Sequence, residues 1–187
     1  MQIIPTELKD VLIVEPQVFI DRRGYFMEIF QQQRYIKAGI DRQFVQDNFS
    51  YSRERTLRGL HYQVLRPQAK LVQVFSGEIF DVAVDLRRSS PTFGKWVGVT
   101  LSGENKRQLY IPEGFAHGFC VLSPSALFSY KCSDYYDPQD EGGLRWSDPQ
   151  ININWPMKTP ILSSRDRFLP LLKELSPDLL PQVKGRR

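Results

Sequence analysis

Between Phe44 and Cys132 the chain is a series of short runs in which apolar and polar residues alternate, each closed by glycine, proline or serine. F-V-Q-D-N-F-S-Y, T-L-R-G-L-H-Y-Q, W-V-G-V-T-L and A-L-F-S-Y-K-C all repeat with a period of two, the signature of strands with two unlike faces. Helical spacing is scarce. Many short strands at close intervals predict an antiparallel sandwich or barrel of the jelly-roll kind, in one domain spanning residues 1–187 and without a repeat.

Finer features follow from the same reading. V-L-I-V-E and Y-F-M-E-I are expected as two extended pieces flanking D-R-R-G, whose Gly24 suits a turn. Gln31 to Ala38, closed by Gly39, reads as two turns of helix. Gln46, Asn48 and Ser50 would line one strand face, a row that is costly if buried dry and useful beside a ligand. Lys70 to Leu86 reads as a hairpin around Ser76-Gly77-Glu78, with Phe80, Val82, Val84 and Leu86 as its apolar face. Q-L-Y-I-P is expected as an edge strand ended by Pro112, and P-E-G-F-A-H-G-F as a turn on two glycines around His117. Ala126, Phe128, Tyr130 and Cys132 should share a face, and the tail from Asp137 reads as loops with a short apolar helix, L-L-K-E-L, after Pro170.

Composition narrows the function classes. With 187 residues, 41% of them apolar, the chain can bury a substantial core without staples. Its formal charge is +4, but the 25 Lys and Arg are interleaved with 21 Asp and Glu, unlike the clustered stripe of a nucleic-acid binder. A local basic pocket for an anionic small molecule is the better use of the excess. No run approaches the roughly 18 apolar residues of a membrane span, and M-Q-I-I-P-T-E-L-K-D lacks the pattern of a secretory leader. Cys120 and Cys132 read as buried thiols of a reducing compartment, so the expected location is cytoplasmic.

The stretch Thr56 to Lys70, T-L-R-G-L-H-Y-Q-V-L-R-P-Q-A-K, crowds titratable groups into a strand-like segment. Strict alternation puts His61 and Gln63 on one face with Gly59, and Arg58 on the other. A metal site usually needs three or four His, Cys or carboxylate ligands. Only His61 and His117 exist, and Gln63 stands where the second imidazole of an H-x-H pair would be, so no metal and no cofactor are expected. A G-x-S-x-G elbow and a G-x-x-x-x-G-K phosphate loop are also missing. Acid–base chemistry remains: His61 as base, Tyr130 as a proton donor and Lys70 beside a negative oxygen would suit proton abstraction next to a carbonyl. A satisfied core histidine, a paired core tyrosine and a surface lysine are the structural alternatives, and composition and spacing leave that choice open.

R-G-L-H-Y-Q, Q-A-K-L-V, D-V-A-V-D-L-R with S-P-T-F-G-K-W, P-E-G-F-A-H-G-F, the late Y-K and W-S-D-P followed by W-P resemble the dTDP-4-dehydrorhamnose 3,5-epimerase family, in order, from about Asp21 to about Pro170. The resemblance implies an all-β, cupin-type antiparallel jelly-roll barrel with short peripheral helices, acting as a homodimer on a dTDP-4-keto-6-deoxy sugar, without metal or nicotinamide. It makes His61 the proton acceptor, Tyr130 the proton donor, Asp166 the carboxylate that orients the histidine and Lys70 the cation at the keto oxygen. It assigns Arg23, Glu28, Gln46, Asp47, Asn48, Arg58, His117 and Glu141 to binding the nucleotide sugar, and Phe26 and Tyr136 to flanking the thymine ring.

One residue departs from that pattern, and another is in tension with strict alternation. L-S-S-R-D carries Arg165 where the family often has a substrate-contacting lysine, which keeps the charge and changes reach and geometry. Arg58 and His61 can serve one pocket only if Gly59 breaks the strand register or Arg58 serves a neighbouring edge of the pocket. The rival readings are an epimerase of a single carbon, a ketoisomerase, a metal-dependent barrel of the same fold, and a non-catalytic sugar-nucleotide binding module. Tyr130 favours epimerisation, since inversion needs a second proton source.

Overall fold

The structure, a computed structural model, describes residues 1–183, so the last four positions of the expected 1–187 domain lie outside the described residues. In chain order the elements are β1 (Gln2–Pro5), β2 (Leu12–Glu15), β3 (Val18–Asp21), β4 (Gly24–Met27), α1 (Gln32–Lys37), β5 (Gln46–Arg53), β6 (Leu57–Gln63) and β7 (Lys70–Ser76). They continue with β8 (Glu78–Asp85), β9 (Trp96–Ser102), β10 (Gln108–Ile111), β11 (Phe115–Val121), β12 (Ser125–Cys132), β13 (Glu141–Gly143) and α2 (Ser164–Arg167). A six-stranded sheet in the order β1-β2-β10-β7-β12-β5 faces a five-stranded sheet in the order β13-β6-β11-β8-β9, while β3 and β4 form a separate ribbon. All these strand pairs are antiparallel, as expected of a cupin-type jelly roll.

The core follows from alternation. Val72, Val74, Ile79, Leu101, Phe119 and Phe128 are buried between the sheets. The opposite parity of β8, with Val82 and Val84, packs on a second cluster that includes Leu144, Ile151 and Leu172 from the tail. Burying each such side chain contributes roughly 1.5–3 kcal/mol, and it explains why a loop-rich tail is held on the barrel. A third cluster, with Tyr35, Ile40, Leu71 and Tyr110, seats α1 on the outside of the larger sheet. The expected helix is found, capped at Gln31, whose side chain accepts from the Arg34 amide at 2.7 Å.

Several expectations need correction. The Lys70–Leu86 hairpin does not form: β7 pairs with β10 and β12, whereas β8 pairs with β11 and β9 in the facing sheet. Gly77, at φ +80°, turns the chain across the barrel so closely that a Cβ there would strike the Ser125 carbonyl. The apolar face of Phe80, Val82, Val84 and Leu86 is real, but it covers the tail cluster and pairs with nothing on β7. Q-L-Y-I is no edge strand, because V-L-I-V-E takes its other side: Leu109 stands opposite both Ile13 and Val72. His117 lies within β11, buried along its whole length, and only Pro112–Gly114 turns. The D-R-R-G turn is correct, yet Y-F-M-E-I pairs with the intervening V-F-I-D, not with V-L-I-V-E. The reading also missed β1, β13 and α2, which are too short or too polar to carry a pattern.

Candidate active site

Residues of both sheets wall a cavity with two lobes, of about 310 and 370 Å³, that share Asn48, His61, Lys70 and Tyr130. His61 comes from β6 of the smaller sheet, and Tyr130 and Lys70 from β12 and β7 of the larger, so base and phenol approach from opposite sides. Opposed placement on two packed sheets is what a flat ring bound between them would require.

Strand β6 is irregular where it matters. His61 stands opposite His117, and Arg58 opposite Phe119, so three steps on β6 match two on β11. Gly59, at φ +110°, absorbs the extra residue; a Cβ there would lie 2.6 Å from the His117 carbonyl oxygen and 2.7 Å from the Gly118 Cα. The bulge rotates Arg58 onto the face of His61, and both line the second lobe.

His61 Nε2 lies 2.6 Å from Asp166 Oδ1. The segment carrying Asp166 is laid beside β6 by Leu57 N–H donating to the Ile161 carbonyl at 2.9 Å and Ile161 N–H to the Arg55 carbonyl at 2.7 Å. Ser163 then caps α2, its Oγ accepting from the Asp166 amide at 3.0 Å. Burial pushes the Asp166 carboxyl up, but its hydrogen bond and charge interaction with His61, the Gly59 N–H and Ser163 outweigh this and hold it below the ordinary carboxylate range. An ionised carboxylate only accepts, so Nε2 carries a proton towards it, which in the neutral ring leaves the lone pair on Nδ1. Nδ1 lies 3.7 Å from Glu141 Oε1, on the side of the first lobe.

The remaining chemistry is set by burial. The Tyr130 phenol is pushed up to about 12, first by desolvation and then by the nearby Cys132 and Glu141, so it is a proton-bearing group at neutral pH. Desolvation pulls the Lys70 ammonium down; it lies 5.8 Å from the Tyr130 ring centroid and makes no hydrogen bond or ion pair with the described residues. His117 lines the second lobe, but its Nε2 is turned to Asp81, 2.9 and 3.0 Å from the two oxygens, with its ring stacked on Phe128. Burial lowers the imidazole and raises the carboxyl, so desolvation disfavours the charged form of each. Among the described residues, no group of three or more His, Cys, Asp or Glu is placed to hold a metal ion.

The other expected site residues divide. Gln46, Asn48, Tyr136 and Glu141 line the first lobe, and Arg58 and Arg165 the second. Glu141 is a hub: its carboxylate takes the Arg165 guanidinium and, at 2.7 Å, the Tyr136 hydroxyl, while the Tyr136 amide donates to Gln46 Oε1 at 2.9 Å. Asp47 points outward, as its parity requires, and receives Lys131 at 2.9 Å. Arg23, Phe26 and Glu28 do not line the cavity of their own chain: Arg23 pairs with Asp21, Glu28 with Arg34, and Phe26 is 69% exposed on the β3–β4 ribbon. The sequence reading missed Asp81 as the partner of His117. Its signal was an acid at the interior parity of β8, opposite the apolar face that begins at Phe80.

Residues 5–174 match the family model described as dTDP-4-dehydrorhamnose 3,5-epimerase. The chain belongs to that family. It is 60% identical over 169 residues to the dTDP-4-dehydrorhamnose 3,5-epimerase of Shigella flexneri, covering 89% of this chain and 93% of the relative. The enzyme of the same name from Methanothermobacter thermautotrophicus is 50% identical over 174 residues, covering 91% and 94%. Among solved structures, the dTDP-6-deoxy-D-glucose-3,5-epimerase of Legionella pneumophila in complex with dTDP-4-keto-L-rhamnose superposes with a TM-score of 0.95 at 53% identity, over 98% of this chain and 99% of that one. The epimerase family is thus indicated along nearly the whole chain, and its members are isomerases.

Proposed function

We propose that the protein inverts carbons 3 and 5 of dTDP-4-dehydro-6-deoxy-D-glucose, giving dTDP-4-dehydro-L-rhamnose. The observation that carries this reading is the placement of His61 and Tyr130 on opposite sheets around one cavity, with Lys70 beside both. The C4 ketone acidifies the neighbouring C–H bonds by spreading carbanion charge onto oxygen. His61 Nδ1 takes the proton, Asp166 stabilises the resulting imidazolium through Nε2–H, and the Lys70 ammonium stabilises the enolate oxygen. The Tyr130 phenol then delivers a proton to the opposite ring face, at least at carbon 5. Arg58 and Arg165 are suited to the diphosphate, and Tyr136 to the thymine ring.

The same reading takes the active form to be a homodimer. Phe49, Tyr51 and Phe75 are exposed on the outer face of the larger sheet, and Phe19, Tyr25 and Phe26 on the ribbon. In our proposal the ribbon of one protomer supplies Arg23, Phe26 and Glu28 to the cavity of its partner; a monomer by sedimentation at working concentration would end this part. Two free, buried thiols support a cytoplasmic location, and no described helix is long and apolar enough to cross a membrane.

The test is solvent exchange. In deuterated water the wild type should place deuterium at both carbons, and Tyr130→Phe should still exchange while losing net inversion at carbon 5. His61→Ala should lose most exchange while remaining folded; full exchange in that variant would remove His61 as the base.

A further inference from the structure

The inward row of β5 consists of Gln46, Asn48, Ser50 and Ser52, and three of the four have protein partners. Gln46 accepts from the Tyr136 amide, Asn48 accepts from Gln46 at 3.0 Å and reaches Cys132 Sγ at 3.6 Å, and Ser52 Oγ accepts from Arg58 Nε at 3.0 Å. Ser50 Oγ is fully buried and has no hydrogen-bond partner among the described residues, yet Ser50 lines the second lobe. The other unpaired buried side-chain atom among the described residues belongs to Gln73, which lines neither lobe and lies beside Gln108 beneath α1.

A buried hydroxyl without a partner is costly, and a cavity is where a ligand can satisfy it. Its place along the strand says which ligand atom. Asn48 stands opposite Tyr130 and Ser50 opposite Phe128, while Ser52 anchors Arg58. Ser50 therefore lies between the level of the proton donor and the level of the guanidinium suited to the diphosphate, about 7 Å along the strand from each neighbour in the row. In the sugar nucleotide, carbon 2 lies between carbon 1, which carries the diphosphate, and carbon 3, which loses its proton.

We propose that Ser50 Oγ hydrogen-bonds the hydroxyl on carbon 2 of the sugar and makes the site selective for 2-hydroxylated over 2-deoxy substrates. This rests on the function proposed above and adds a discrimination that the acid–base groups cannot supply, since proton removal next to the ketone is chemically possible in both sugars. Only the 2-hydroxylated sugar gives the buried hydroxyl a partner.

The experiment is a cycle of two enzymes and two substrates: wild type and Ser50→Ala, each with the dTDP-linked 4-keto-6-deoxy sugar and its 2-deoxy counterpart. Wild type should prefer the 2-hydroxylated sugar, and Ser50→Ala should lose roughly tenfold in kcat/KM on that sugar alone, bringing the two substrates close together. Ser50→Cys, similar in shape and a poor hydrogen-bonding group, should move the same way, and affinity for dTDP should be unchanged in both variants. Equal losses on both sugars would mean a structural role, and no loss on either would mean no contact; each overturns the proposal. If the wild type itself places no solvent deuterium in the 4-keto sugar, the proposed function falls and this inference with it; normal exchange without discrimination removes Ser50 alone.

Discussion

Arg58 and His61 face the same cavity although strict alternation would put them on opposite faces of β6, because the bulge at Gly59 places three residue steps against two on β11. Gly59→Ala should therefore disturb stability and activity together. The new Cβ would meet backbone on β11, at the His117 carbonyl and the Gly118 Cα, and backbone cannot move aside as a side chain can. A loss of about 2–3 kcal/mol is expected in denaturant unfolding, with activity falling further than the folded fraction because Arg58 or His61 leaves the cavity. A stable, fully active Gly59→Ala protein would contradict the register described here.

Asp166→Asn keeps the shape of the His61 partner and removes its charge. The amide can leave the imidazole in the wrong tautomer and cannot stabilise an imidazolium, so kcat should fall roughly 10²- to 10⁴-fold with little change in KM. Acid stability should respond as well. The Asp166 carboxyl lies below its ordinary value of 3.8 in the folded state, so its contribution is present in full above that pH and is lost as pH falls through the folded value. Unfolding followed from pH 6 to pH 2 should show a shallower acid loss in the variant.

Lys70→Met should separate stability from activity. Desolvation lowers the ammonium from its ordinary 10.5, so in the interval up to that value the unfolded chain binds more protons, and stability rises with pH there. Removing the unpaired cation should stabilise the protein at pH 7 by about 1 kcal/mol while abolishing exchange at the sugar carbons. In the wild type, activity should decline on the alkaline side below pH 10.5 as Lys70 loses its charge, with the Tyr130 phenol, near 12, still protonated. Lys70→Arg should move that alkaline limb upward in a pH–rate profile.

What could be read from sequence was local. The inward row of Gln46, Asn48 and Ser50, the shared face of Phe128 and Tyr130, and the helix closed by Gly39 each follow from the residues within one element. The partner of each strand did not: Phe80 to Leu86 would pattern alike whether β8 paired with β7 or with β11, and the choice rests on a turn whose geometry depends on Ser125, far along the chain. Site residues were legible where the chemistry is unusual on a strand, as at His61, and through the resemblance for Asp166 and Arg165. Asp81 was hidden because a carboxylate at an interior parity declares itself only once His117 stands beside it. Arg23, Phe26 and Glu28 pair locally or stand exposed, which no pattern within β3 and β4 reveals.

The crossing at Gly77 also bears on how the barrel is assembled. Since the two strands it joins belong to different sheets, the chain has no early, self-contained ribbon there to template its neighbours. β7 must wait for residues near Leu109 and Tyr130, and β8 for those near Gly98 and Gly118. Such distant pairings make for slow, cooperative folding, and they tie recovery of catalysis in a renaturing sample to closure of the whole barrel.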